Sequence, residues 1–131
     1  MTADDAAVIL SGLGGRTFVH FTVASGIHLG LDREPNYTIT IECPVTISES
    51  GEPLEVQSTP VLEKLRELLM SEVDSVEQSG GMLTISFGGG AQIVVPPDEL
   101  YEAWQVNADD GSLVVCMPGG ELAVWAPESA T

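Results

Sequence analysis

Tyr37, Ile39, Ile41, Cys43, Val45 and Ile47 alternate with Thr38, Thr40, Glu42, Thr46 and Ser48. Apolar side chains at strict period two, separated by polar ones, fit a half-buried strand and no helix. A strand of this kind needs neighbours, because its backbone N–H and C=O groups cannot stay unpaired beside a core. Pro44 interrupts the run. It cannot donate to a ladder, so an edge, a bulge or a break falls there.

The neighbours are legible on both sides. Between residues 15 and 32, Val19, Phe21 and Val23 are followed by Ile27, Leu29 and Leu31. A three-residue Ala24-Ser25-Gly26 loop pairs Val23 with Ile27, Phe21 with Leu29 and Val19 with Leu31. All six apolar residues then share one face, and a buried face punishes a one-residue slip. Leu83, Ile85 and Phe87 form a similar set with Ala91, Ile93 and Val95 across Gly88-Gly89-Gly90. That glycine run joins two strands, with no following helix and no GK[ST], so it is not a phosphate loop. Residues 101–125 read as three short strands. Asp110-Gly111 signals the first turn, setting Trp104 and Val106 beside Val115 and Met117, and Gly119-Gly120 makes the second. The helix expected at about 59–70 has Thr59 as N-cap, Pro60 in its first turn and a stripe of Leu62, Leu65 and Leu69. Residues 1–14 read as a partly ordered arm, in which Val8 to Leu10 add an edge strand or a short helical turn.

These elements predict a single domain over 1–131 of the α+β class: antiparallel hairpins in one curved sheet or partly open barrel, with a single helix packed on it. At 131 residues and 44% hydrophobic, the chain can fill a core. It has no apolar run long enough to span a bilayer, and its N-terminus lacks the basic region of a secretory signal. A cytoplasmic setting is expected. Cys43 and Cys116 lie in apolar segments and read as reduced core thiols.

Charge narrows the partners. Twenty acids against four basic residues leave a formal charge of −16. Such a surface repels phosphate backbones and anionic membranes, and it attracts basic proteins. No cofactor motif is present, and no GxSxG or CxxC spacing points to a nucleophile or structural zinc. The chemistry-bearing candidates lie on the polar face of the first hairpin: His20, Thr22, His28 and Asp32, a set able to hold a small ligand or divalent metal. Two histidines at diagonal positions with a carboxylate further along also fit a merely wet sheet face. Tyr101, Trp104 and Trp125 form either an exposed aromatic patch or, the favoured reading, part of the core. Asp109 and Asp110 are interaction candidates at a turn.

Tyr101-Glu102-Ala103-Trp104, then Gly111 and Leu113-Val114, then Pro118-Gly119-Gly120-x-Leu122-Ala123-x-Trp125 resemble the C-terminal signature of a family of short actinobacterial proteins, a domain of unknown function. A leucine-rich helix, the Gly81–Phe87 strand and an Ile-Val-Val-Pro strand extend the likeness over roughly residues 59–126. The resemblance implies a small, mainly β bacterial protein and transfers no activity or site residues. The leading functional expectation is a non-enzymatic, acidic protein-binding module, of the immunity or regulatory type, engaging a basic protein. The alternatives are a ligand- or metal-binding protein or enzyme using the His20/His28/Asp32 face, and a homodimer or larger homo-oligomer joined by sheet edges or an exposed tryptophan.

Overall fold

The structure, a computed structural model, describes residues 3–47 and 51–125. The described elements are α1 (Ala3–Ser11), β1 (Phe18–Val23), β2 (Ile27–Leu31), β3 (Tyr37–Ile41), β4 (Thr46–Ile47), α2 (Thr59–Leu68), β5 (Val73–Ser79), β6 (Met82–Phe87), β7 (Gln92–Val95), β8 (Trp104–Ala108), β9 (Leu113–Cys116) and β10 (Leu122–Trp125). A short 3-10 turn, Pro118–Gly120, joins the last two strands. The fold is α+β. Its strands pair antiparallel in a six-stranded sheet, ordered β1-β2-β3-β8-β9-β10, and a four-stranded sheet, ordered β4-β7-β6-β5.

The long alternating run serves both sheets. Tyr37, Ile39 and Ile41 belong to β3 in the larger sheet, and Ile47 to β4 in the smaller. The chain bends between them at Cys43-Pro44, where the missing N–H of Pro44 is no loss. All six apolar residues of the run are buried. A strand that changes sheets at a bend is how orthogonally packed sheets share a corner. This is why the expected single curved sheet divides in two. Ser48, the last residue of the alternating run, lies outside the described residues.

β5 lies diagonally across the larger sheet. At its start, Glu72 bridges Thr17, Phe18 N donates to Ser71 O at 2.9 Å and Val73 N donates to Arg16 O at 2.7 Å. At its far end, the β5–β6 turn meets the β9–β10 turn. Gly81 has φ of 88°, and a Cβ there would stand 2.6 Å from the Gly120 Cα, so only glycine fits both the turn and the approach. The buried Trp104 indole closes this junction, Nε1 donating to Gly81 O at 2.8 Å. Cys116 Sγ sits 3.4 Å from the same oxygen.

The register of β1 and β2 follows the three-residue loop at Val23↔Ile27 and Phe21↔Leu29. A bulge then places Phe18, not Val19, opposite Leu31. Phe18 is fully buried, its ring 6.1 Å from that of Phe87 in the other sheet. An aromatic ring bridging the sheets outcompetes the smaller Val19 for the inward position. The β8–β9 loop also differs from expectation. It spans three residues, 109–111, so Val106 faces Val114 and Gln105 faces Val115. Trp104 and Val106 therefore point inward, and Val115 points to the outer face.

Two helices complete the described fold. α2 has Ser58, one residue before the expected cap, at its N-cap and buries Val61, Leu65 and Leu68. α1 occupies the stretch read as a partly ordered arm, so a second helix joins the one expected. Alanines and first-turn acids favour helix there. Ala6, Ile9, Leu10 and Leu13 make a buried stripe at helical spacing, which packs against β5, β9 and β10.

Trp104→Phe leaves the Gly81 carbonyl without its strong donor inside the core. The expected loss is about 1–3 kcal/mol, the usual cost of a buried unpaired polar group. Urea unfolding at constant m-value measures it, with the half-exposed Trp125→Phe as a control expected to stay within about 0.5 kcal/mol.

Candidate functional site

Alternation along the larger sheet assigns its outer face. One row across the strands reads His20, Gly30, Thr38, Asn107, Leu113 and Trp125; the next reads Thr22, His28, Thr40, Gln105, Val115 and Ala123. The structure thus brings His20, Thr22 and His28 together, with Thr22 directly opposite His28. His20 lies across from Gly30 with its imidazole in the space a Cβ at residue 30 would fill. His28 Nδ1 is 3.0 Å from the Thr40 hydroxyl.

Asp32 is not with them. Its Oδ1 accepts from Thr17 N at 2.7 Å and stands 3.9 Å from Arg33 Nε, so it fastens the end of β2 to the entry of β1. Among the described residues, no group of three His, Cys, Asp or Glu side chains is placed to hold a metal ion. The turn acids are similarly employed: Asp109 Oδ1 accepts from Asn36 N at 3.1 Å, and Asp110 Oδ1 from Ser112 N at 2.9 Å.

The aromatic candidates separate. Trp104 is core, whereas Trp125 is 51% exposed at the end of β10 and Tyr101 is 70% exposed on the loop before β8. Tyr101 belongs to a surface that sequence spacing concealed. Leu100 beside it is 75% exposed. Asp98, Glu99 and Glu102 flank the pair, and Glu42, at the end of β3, reaches the same region from a distant part of the chain. Ser25, Glu42, Cys43, Pro44, Asp98 and Tyr101 line a depression of about 280 Å³, and Glu42 also lines a smaller recess with Glu102 and Gln105.

The backbone of this loop is held firmly. Asp98 Oδ1 accepts from Leu100 N at 2.8 Å and Tyr101 N at 3.1 Å. Gly119 N donates to Asp98 O at 2.8 Å, and Glu42 N donates to Ala103 O at 3.0 Å. Two apolar side chains are therefore presented outward from a fixed turn, between acids in the sequence and with Glu42 and Asp98 beside Tyr101. None of the four basic side chains lines either recess. Arg16 is spent on the carbonyls of Gly12, Asp32, Arg33 and Pro35 and stacks 4.6 Å from the Tyr37 ring centre. Arg33 donates to Gly15 O, Lys64 pairs with Glu67 on α2, and Arg66 lies exposed on that helix. Such a surface suits a partner carrying cationic and apolar side chains, with Tyr101 available for cation–π contact. The one clue in the sequence was Leu100-Tyr101, an isolated apolar pair within an acidic turn.

Elsewhere, a groove of about 370 Å³ separates α1 from β5, lined by Ala7, Leu10, Ser11, Asp74 and Glu77 among others. It holds no histidine, cysteine or basic side chain.

The model of a family of unknown function, DUF6188, matches residues 9–126, and the chain belongs to that family. No curated protein and no solved structure matches the chain.

Both cysteines are free and buried. Burial, reinforced by nearby Asp98, pushes the Cys43 thiol up to about 11, and burial raises Cys116 as well. At pH 8 a thiol with a pKa of about 11 is only about one part in a thousand thiolate. Native protein should therefore resist Ellman's reagent at pH 8, and urea-unfolded protein should release two equivalents promptly. The neutral thiol is favoured in the folded state, so its contribution to stability is complete below the ordinary thiol pKa and declines as pH rises through about 9 to 11. A native protein that reacts at the unfolded rate would contradict this account.

Proposed function

We propose that this chain is a non-enzymatic binding protein that uses its acidic surface to engage a basic protein partner, in the manner of an immunity or regulatory protein. The setting suggested by its composition and C-terminal resemblance is the cytoplasm of an actinobacterium. The observation that carries the reading is the exposed Leu100-Tyr101 pair, held on a fixed turn and flanked by Glu42, Asp98, Glu99 and Glu102. Interfaces of this type place an aromatic or aliphatic anchor at the centre and let surrounding charge guide the approach. A net charge of −16 adds long-range attraction for a basic partner. The placement of Asp32 against Thr17 and the burial of both free thiols support a binding role over a catalytic one.

Wild-type protein, a Leu100→Ala/Tyr101→Ala variant and a Glu99→Lys/Glu102→Lys variant serve as parallel baits in lysate of the source organism. The captured protein is then titrated against each by calorimetry at about 0.05 and about 0.5 M salt. The expected partner is basic, binds at least about tenfold more weakly at high salt, and loses about 30-fold or more in affinity to the anchor variant, the effect of a hot spot of about 2 kcal/mol. Equal binding by both variants, or affinity indifferent to salt, would refute the reading.

A further inference from the structure

β10 forms one edge of the larger sheet. Its pairing with β9 runs Leu122↔Cys116, Ala123↔Val115, Val124↔Val114 and Trp125↔Leu113, and Met117 N donates to Glu121 O at 2.7 Å. In an antiparallel ladder, hydrogen-bonding direction alternates along the strand. Glu121, Ala123 and Trp125 therefore turn their N–H and C=O groups toward β9. Those of Leu122 and Val124 point away from the sheet.

Proteins usually guard such an edge with lysine, proline, a bulge or a covering segment. Leu122-Ala123-Val124-Trp125 holds no charge and no proline, and its pairing with β9 has no register shift. Leu122, Ala123 and Val124 are half-buried and Trp125 is exposed. The adjoining outer face, through Gln105, Asn107, Leu113 and Val115, is also uncharged. On a molecule of charge −16, this is where two copies can approach without carboxylates meeting head-on.

We infer that β10 is a self-association edge, at which a second copy of this chain pairs antiparallel through a two-fold axis at Ala123. The register follows from the outward groups. Leu122 lies opposite Val124 of the second copy, and Val124 opposite its Leu122, each pair exchanging two backbone hydrogen bonds. Ala123 meets its own equivalent on the axis, where a small side chain allows close approach. Glu121, the charged residue that immediately precedes β10, falls opposite Trp125 of the second copy, so its carboxylate meets an indole and not another acid. The pairing joins two six-stranded sheets into one continuous sheet and closes the edge, which limits the assembly to a dimer. This inference stands apart from the basic-partner reading, which concerns Leu100 and Tyr101.

Sedimentation velocity over a wide concentration range, at about 0.05 and about 0.5 M salt, tests it. The expected species has twice the 13.8 kDa mass of one chain and tightens as salt rises, because screening relieves repulsion between like-charged copies. That trend is opposite to the one expected for a basic partner. Val124→Pro removes an outward N–H while sparing the bonds to β9, and Ala123→Lys sets two like charges on the axis. Each should weaken dimerisation at least tenfold while the near-ultraviolet circular dichroism of buried Trp104 stays unchanged. If Val124→Pro fails to fold, Ala123→Lys decides alone. Leu100→Ala/Tyr101→Ala should leave the mass unaltered. A strict monomer at every concentration and salt, a dimer indifferent to Ala123→Lys, or open-ended larger species would overturn the inference.

Discussion

The structure depends on how β5 is pinned. One end is stitched to the entry of β1 by backbone hydrogen bonds around Thr17, Phe18 and Val73. The other is locked where Gly81 meets Gly120 beneath the Trp104 indole. These anchors lie at opposite corners of the larger sheet, so β5 must cross it diagonally and carry β6 and β7 with it. Once the diagonal is set, inner-face residues such as Phe18, Ile39 and Val106 have the smaller sheet to pack against. The corner β5 leaves open beside β9 and β10 is where α1 packs. Burial supplies most of the free energy, but the two pinned ends decide which arrangement the burial stabilises.

The same construction explains how charge is distributed. The chain has few cations, and its architecture consumes the best of them. Arg16 donates to carbonyls on both sides of the gap between α1 and the β2–β3 loop and stacks on Tyr37. Guanidinium suits this task because its planar donors can satisfy several acceptors at once. A cation so employed cannot neutralise distant acids. No basic side chain lines the recesses beside Glu42, Asp98 and Glu102, and Asp98 is held by backbone N–H groups alone, so the field of these carboxylates is not cancelled by a neighbouring cation in either recess.

Much of this was legible in the sequence, and the failures share causes. Period-two alternation identified β1, β2, β3, β6 and β7, and odd loop lengths fixed the pairing next to the 24–26 and 88–90 turns. Local pattern could not show that the 37–47 run changes sheets, because the bend preserves its alternation and Pro44 admits several readings. Nor could it show the bulge at Val19, which arises from competition with Phe18 for a place against Phe87, a residue far along the chain. α1 was too short to declare itself, since most of its stability comes from packing against β5, β9 and β10. Of the candidate residues, His20, Thr22 and His28 share a face as alternation required, whereas Asp32 turned to a backbone N–H that no pattern records. Glu42 joins Tyr101 only through the β3–β8 pairing, which is long-range information.

High acidity bears on the β10 edge as well as on partner choice. An unguarded apolar edge invites indiscriminate strand addition when its carrier is neutral. Here a second copy approaching in a wrong orientation brings its carboxylates against those of the first, and at physiological ionic strength that repulsion is largely screened only beyond about 8 Å. The inferred β10 pairing, which sets the uncharged outer rows of β8, β9 and β10 side by side, lowers that cost. Global charge can thus replace the local lysine or proline that most edges carry. The protection is orientational and does not reach a neutral or basic chain, so selectivity against such strands must come from the side chains of β10 itself. Ala123, half-buried beside Val115 on the outer face, is the small residue on which the inferred pairing centres, so the space available there sets which strand can approach.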